Sequence, residues 1–262
     1  MSQSIVVENV SKVFTMHYSR TLKQMAVSVA KGLPLSETFK AVDDVSFTVE
    51  QGESIGLMGL NGSGKSTLLK IINGVMRPDG GRVLARGRIA GLIAKGAGFH
   101  PQLTGRENLY LNAAILGMNE AETNARFDEI VEFADIGKFL DIPVSHYSSG
   151  MYARLGFAVA VHVDADIFLA DEVLAVGDRP FKKKCMEKMQ EIRHQGTTIF
   201  YVSHAAASVR NTCDRVLVLE SGRLTYDSKT TPGGSVDGAI SYLHYDDTTE
   251  EEHADEELGS EI

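Results

Sequence analysis

Nowhere in this chain do eighteen apolar residues follow one another, and the best candidate, Phe157 to Ala170, is interrupted by His162, Asp164 and Asp166. No membrane-spanning helix is therefore expected. The start, Met1-Ser2-Gln3-Ser4, lacks the basic-then-apolar order of a secretory signal and leads into a strand-like stretch, which points to the cytoplasm. Cysteine is scarce. Cys185 and Cys213 are the two present, far apart, in segments that read as helical and without Cys-x-x-Cys spacing. They read as ordinary reduced thiols, with no pattern for zinc or dithiol chemistry. Positive charge is missing from the C-terminal end, where residues 246–262 hold nine acids and no Lys or Arg. The formal charge of −9 belongs to that block, because the rest of the chain balances 26 bases against as many acids. The block reads as a solvated, disordered tail, and the neutral body carries no footprint for nucleic acid.

What is present suits one domain. A chain of 262 residues, 43% hydrophobic, can bury one core with a small appended subdomain. Residues 1–245 are taken as that domain and 246–262 as the tail. Ile5 to Val10, Val45 to Glu50, Ser54 to Met58 and Val83 to Ile89 read as strands, and Ser66 to Asn73 as a helix. Gly91 to Arg106 is a glycine-punctuated loop. Glu107 to Leu116, Glu120 to Phe133 and Met151 to Val163 have helical character and form a side subdomain over about 100–163. Ile167 to Ala170 and Thr198 to Val202 are short apolar runs suited to buried parallel strands, and Asp214 to Tyr226 reads as a hairpin turning at Ser221-Gly222. The pattern implies an α/β, doubly wound core.

Gly59-Leu60-Asn61-Gly62-Ser63-Gly64-Lys65-Ser66-Thr67 fits G-x-x-x-x-G-K-[ST] between a strand and a helix. Glycines let successive N–H groups point inward, and the helix N-terminus adds partial positive charge, so the loop is built for a polyphosphate. Lys65 should reach the β- and γ-phosphates and Ser66 should ligate Mg²⁺. About a hundred residues on, Ile167-Phe168-Leu169-Ala170-Asp171-Glu172 is an apolar strand ending in two acids. A hard cation needs an oxygen ligand, which Asp171 supplies, and an attacking water needs a base, which suits Glu172. His204 follows a third strand on the same side of the sheet, where it would contact the γ-phosphate or the water.

Tyr147-Ser148-Ser149-Gly150-Met151, just before a helix, resembles the signature of ABC transporter ATPases, commonly L-S-G-G-Q. The resemblance covers about residues 3–230. It is most similar to ATPases of polysaccharide export, which serve O-antigen, teichoic acid, capsule and cell-wall galactan. Three stretches carry that likeness: Gly96 to Asn108, the Tyr-Ser-Ser-Gly-Met run, and Leu169 to Asp178. It implies a P-loop NTPase (RecA-like) core with an N-terminal antiparallel β subdomain and a helical ABC subdomain. It also implies ATP and Mg²⁺ as cofactors. Two copies would pack head to tail, with Ser148, Ser149 and Gly150 completing the partner's ATP site. Donors at a helix N-terminus suit that role.

The same resemblance implies a separate polytopic permease as partner, a lipid-linked glycan as transported substrate, and a place at the cytoplasmic face of the membrane. A nearer alternative is the ATPase of an importer or small-molecule exporter. A soluble ABC ATPase is a further one, but it predicts tandem domains, a coiled coil or a basic face, and none is visible. Adenine should stack on Phe14, with Tyr18 as a rival. The expected Q-loop position holds Lys95, whose charge does not suit a place beside Mg²⁺, and Gln102 comes seven positions late. Met151 stands where glutamine is usual in the wider family and Ser149 where glycine is, both as in the export branch. Between Phe14 and Val42 lies a long insert, 15–41, in which Leu22, Met25, Val29 and Leu33 can share a helical face. It fits the membrane surface, its own domain or the permease. About thirty residues follow the terminal hairpin, too few for a carbohydrate-reading domain.

Overall fold

The computed structural model describes residues 2–17, 36–92, 98–170, 178–203 and 206–243. Two sheets organise them. The larger has strand order β5-β6-β7-β3-β8-β9, made of β3 (Ser54–Met58), β5 (Ile89–Leu92), β6 (Ile167–Ala170), β7 (Thr198–Val202), β8 (Arg215–Glu220) and β9 (Arg223–Asp227). Its first five strands are parallel and β9 is antiparallel. Every residue of β3, β6 and β7 is buried, which explains their unbroken apolar runs, since a parallel strand is covered on both faces. The smaller sheet has order β2-β1-β4, with β1 (Gln3–His17) antiparallel to both β2 (Ser36–Glu50) and β4 (Gly80–Ala85). One face of it packs: Ile5, Val7, Val10, Val42, Val45, Phe47 and Val49 are buried while residues between them are exposed or half-buried.

Two apolar cores result, one on each face of the large sheet. On one face the small sheet and α1 (Lys65–Ile72) close over Ile55, Leu57, Phe200 and Leu217. On the other lie α2 (Gly105–Ile115), α3 (Glu120–Ala134), α4 (Ser149–Val161), α5 (Arg179–His194), α6 (Ala206–Thr212) and α7 (Val236–Tyr242). Thr104 and Asn119 start α2 and α3 with capping boxes closed by Glu107 and Glu122, each satisfying two otherwise orphaned amides. Among the described residues no helix is long and apolar enough to cross a membrane.

Three expectations are corrected. Val83 to Ile89 is not one strand: Val83 pairs with Val7 in the small sheet and Ile89 with Ile167 in the large one. The chain breaks between them at Gly87, whose φ of 98° brings it so close to Asp166 that a Cβ would sit 2.2 Å from the carboxylate. That carboxylate accepts the Arg88 N–H at 2.7 Å. The insert's ends are strand rather than helix, because Thr15, Met16 and His17 continue the ladder to Thr38, Glu37 and Ser36. The proposed helical face from Leu22 to Leu33 lies outside the described residues. Finally, α4 begins at Ser149, two residues early, because Ser148 caps it by accepting the Met151 N–H at 3.2 Å.

Both cysteines are buried, and desolvation pushes each thiol up to about 12. They are packing residues, as the lack of paired spacing implied. A second buried polar feature ties the sheets together. Arg215 spans Asp227 at 2.7 and 2.8 Å, the Thr48 carbonyl at 2.8 Å and Glu53 at 3.3 Å. Burial alone would raise the Asp227 carboxyl, but the Arg215 hydrogen bonds leave it below its ordinary value.

Candidate nucleotide site

The site grows from the C-terminal edge of the large sheet, where ligands of open α/β sheets bind. β3 ends at Met58, and Gly59 to Gly64 carry the chain round into α1. Three glycines take positive φ, for two different reasons. Gly59 and Gly64 are pressed against backbone: a Cβ would lie 2.2 Å from the Leu219 carbonyl in the first case and 2.0 Å from the Ala41 carbonyl in the second. Gly62, at φ 82°, meets nothing within 4 Å and faces open space. The first pair seats the loop between β8 and β2, and Gly62 leaves the approach clear. The Gly222 N–H, donating to the Ser63 carbonyl at 2.9 Å, holds the loop from the β8–β9 turn.

Lys65 is 6% exposed. Its Nζ donates to the Gly59 carbonyl at 2.7 Å and the Leu60 carbonyl at 3.0 Å, so the cation is held inside the loop. The Ser63 Oγ is buried without a hydrogen-bond partner among the described residues, which is costly unless a ligand supplies one. Asn61 and Ser66 are exposed and Thr67 half-buried. An enclosed cation, an orphaned hydroxyl, an open glycine nest and a helix N-terminus fit a polyphosphate, and the accessible Ser66 suits a hard cation beside it.

Phe14 is half-buried on β1, where its ring stacks on Phe39 of β2 with centroids 5.5 Å apart. The Lys12 Nζ lies 5.8 Å from the same ring. Phe39 is two residues before Ala41, whose carbonyl lies against Gly64 of the phosphate loop. Phe39 is 43% exposed and escaped the sequence reading, because only strand register reveals its pairing with Phe14. Asp171, Glu172, His204, Lys95 and Tyr18 lie outside the described residues. β7 nevertheless ends beside β3, and β6 beside β7: Val202 pairs with Leu57, and Ala170 with Tyr201. The described ends of these strands therefore share the loop's edge of the sheet.

Ser148, Ser149 and Gly150 are elsewhere. They open α4, which packs on β5, and β5 is three strands from β3, roughly 14 Å at ordinary spacing. Ser148 spends a lone pair on its cap, but its hydroxyl hydrogen remains available and the residue is exposed. Tyr147 anchors the motif by donating to the Phe139 carbonyl at 2.7 Å. Its hydroxyl fits only because residue 105 is glycine, where a Cβ would be 2.0 Å away. Asn108 is fully buried and laces the preceding loop, accepting from the His100 N–H and donating to the carbonyls of His100, Leu103 and Thr104. That accounts for the last residue of the Gly96-to-Asn108 stretch.

Fold and loop together define a P-loop nucleotide-binding domain. Residues 42–175 match the ABC transporter family. The chain is 49% identical to the ABC transporter protein AbcA of Aeromonas salmonicida, over 72% of this chain and 61% of that one. It is 43% identical to the O-antigen export system ATP-binding protein RfbB of Klebsiella pneumoniae, over 86% and 93% respectively. A teichoic acids export ATP-binding protein, TagH of Listeria monocytogenes, is 41% identical over 83% of this chain and 64% of its own. The chain thus spans under two thirds of some relatives and nearly all of another.

Among solved structures, the ATP-binding subunit of an ABC transporter superposes with TM-score 0.72 at 23% identity, covering 92% of this chain and 99% of that one. The cassette MJ0796, as a dimer in a post-hydrolysis state with ADP and phosphate, gives 0.69 at 23%, covering 85% and 97%. These two likenesses speak for the fold. The chain belongs to the ABC transporter family.

Proposed function

We propose that the chain hydrolyses ATP as a head-to-tail dimer and so drives export of a lipid-linked polysaccharide through a separate membrane permease. The observation that carries this reading is the 43% identity to an O-antigen export ATP-binding protein along 93% of its length. The intact phosphate loop supports it.

Lys65 pairs with the β- and γ-phosphates while the loop's amides, from Gly59 through Thr67, hold the remaining oxygens. Ser66 and Asp171 would hold Mg²⁺, which when bound would supply charge neutralisation for the transferred group. Glu172 orients the attacking water and accepts its proton, and His204 contacts the γ-phosphate or that water. Phe14, backed by Phe39, offers a π-face to adenine. The strand order, with β5 three strands from β3, supports a reading in which Ser148, Ser149 and Gly150 serve a second copy's nucleotide. ATP then acts as a differential ligand for the closed dimer, and hydrolysis releases it. The permease holds the subunit at the cytoplasmic face and handles the glycan, which the ATPase does not bind directly. No nucleic acid is required.

The test is reconstitution of the chain with the polytopic permease it co-purifies with. ATPase activity should rise when lipid-linked glycans are added and stay flat with small-molecule solutes. Absence of an associated permease, or indifference to every glycan, would overturn the export reading.

A further inference from the structure

We infer that the turn between β8 and β9 is a positioning element for nucleotide: Gly222, with the ion pair of Asp43 and Arg223 beside it, sets the distance between the aromatic pair on β1 and β2 and the phosphate loop. This rests on the reading in which adenine stacks on Phe14.

A nucleotide is gripped at two places, and here the two belong to different elements. The phosphates fall to the loop from Gly59 to Thr67, and the base to the outer ladder of β1 and β2, where Phe14 and Phe39 stack. That ladder is bent before it reaches them. Val10 pairs with Val45, Lys12 with Val42 and Val13 with Lys40, so β2 carries an extra residue at each of two steps. Bulges of this kind bend a strand and re-aim its side chains. The bend therefore has to be held. On the β1 side, β4 pairs as far as Ser11, and Asp79 continues the support by accepting from the Lys12 Nζ and the Val13 N–H at 2.8 Å each. On the β2 side the hold comes from the β8–β9 turn.

Gly222 uses both polar groups of its backbone. Its N–H donates to the Ser63 carbonyl in the phosphate loop at 2.9 Å, and its carbonyl accepts the Asp43 N–H at 2.8 Å. One residue thus joins the loop to the bend. It takes φ 82°, and a Cβ there would lie 3.0 Å from the Ala41 carbonyl oxygen and 3.1 Å from that of Lys40. The same Ala41 carbonyl lies against Gly64, so loop, bend and turn meet at one point. The Asp43 carboxylate, 12% exposed, extends the tie in both directions. Its Oδ1 accepts from the Lys40 Nζ at 2.8 Å, and its Oδ2 from the Arg223 Nε at 2.8 Å and Nη2 at 2.7 Å. Hydrogen bonds from Lys40 and Arg223 hold this carboxyl below its ordinary value. Lys40 is the neighbour of Phe39, and Arg223 is the neighbour of Gly222. From Ala41 to Phe39 is two residues, roughly 7 Å along a strand, so the ring pair is carried within a nucleotide's length of Gly64.

The purified full chain tests this with two probes, ATP and inorganic tripolyphosphate, which offers phosphates without a base. Wild type, Arg223→Met, Arg223→Lys, Asp43→Asn and Phe14→Ala are titrated to equilibrium without added Mg²⁺, and Tm is measured beside each. Stacking of a base on an aromatic ring is worth roughly five- to a hundredfold in affinity. Arg223→Met and Asp43→Asn should lose a part of that, about three- to tenfold for ATP, while tripolyphosphate affinity holds. Arg223 is 70% exposed, and ion pairs of that kind add little stability, so Tm should move little. Lysine in place of Arg223 keeps a charge for Oδ2 and should recover part of the loss. A wild-type ratio of ATP to tripolyphosphate affinity in both Arg223→Met and Asp43→Asn, whether through no loss or through equal losses, would overturn the inference. Loss of the preference for ATP in Phe14→Ala alone sinks this inference and leaves the stacking reading standing; a wild-type preference in Phe14→Ala sinks both.

Discussion

Gly62 and Gly64 stand two residues apart in the phosphate loop, yet alanine at each should fail in opposite ways. At Gly64 the backbone has φ 106°, and a Cβ would lie 2.0 Å from the Ala41 carbonyl oxygen. The strained φ costs about 1–3 kcal/mol. The overlap with main chain adds to that, because neither the loop nor β2 can yield without breaking the ladder that holds Val42 to Lys12. A total of roughly 3–5 kcal/mol, at about 2–4 °C per kcal/mol for a chain of this size, puts the loss of Tm at about 6–20 °C. At Gly62, φ is 82° but nothing lies within 4 Å. Strain alone applies there, about 1–2 kcal/mol. The added methyl points into the space where phosphate oxygens must approach the amides. Gly62→Ala should therefore keep its fold and lose ATP affinity, whereas Gly64→Ala should lose stability first. Thermal unfolding monitored by circular dichroism, beside titration with a fluorescent ATP analogue, separates the two. Equal Tm losses, or wild-type affinity in Gly62→Ala, would refute this division of labour within the loop.

Other perturbations follow from the same geometry. Glu172→Gln should reduce steady-state ATP turnover on the order of 10² to 10⁴ while preserving nucleotide binding; near-normal turnover would remove Glu172 from the role of base. The Asp227 carboxylate is held below its ordinary value in the fold, so its contribution to stability is complete above the usual aspartate pKa and is lost as pH falls through the folded value. Acid titration of Asp227→Asn should show a shallower loss of stability in that window. At neutral pH the variant should be less stable by about 3 kcal/mol, because Arg215 is left buried with Glu53 as its remaining acid. Cys185 and Cys213, with thiols raised to about 12, should resist a disulfide thiol reagent at pH 8 until the chain is unfolded. Tyr147→Phe should lower stability by about 1 kcal/mol through the lost bond to the Phe139 carbonyl.

The parts of this molecule legible in sequence are those whose cause is local. The runs Ser54 to Met58, Ile167 to Ala170 and Thr198 to Val202 coincide with β3, β6 and β7 to the residue. A central parallel strand must be apolar on both faces, and its length is set by where glycine or acid takes over. The phosphate loop was equally readable, since its requirement for bare backbone is written in the positions of Gly59, Gly62 and Gly64. What escaped depends on partners distant in sequence. Val83 to Ile89 looks like one strand until Asp166 reaches Gly87 from far along the chain and divides it between sheets. Phe39 had no motif, and its stacking on Phe14 is visible only through a register fixed by the whole β1–β2 ladder. Arg154 resembles any helical arginine until Asp135 and Asp178 converge on it.

The same distinction orders the functional argument. Phosphate binding can be carried by one loop, and a sequence states it. A side chain that ties several elements, as Arg154 ties the ends of α3 and α5 to α4, comes into view only in their packing.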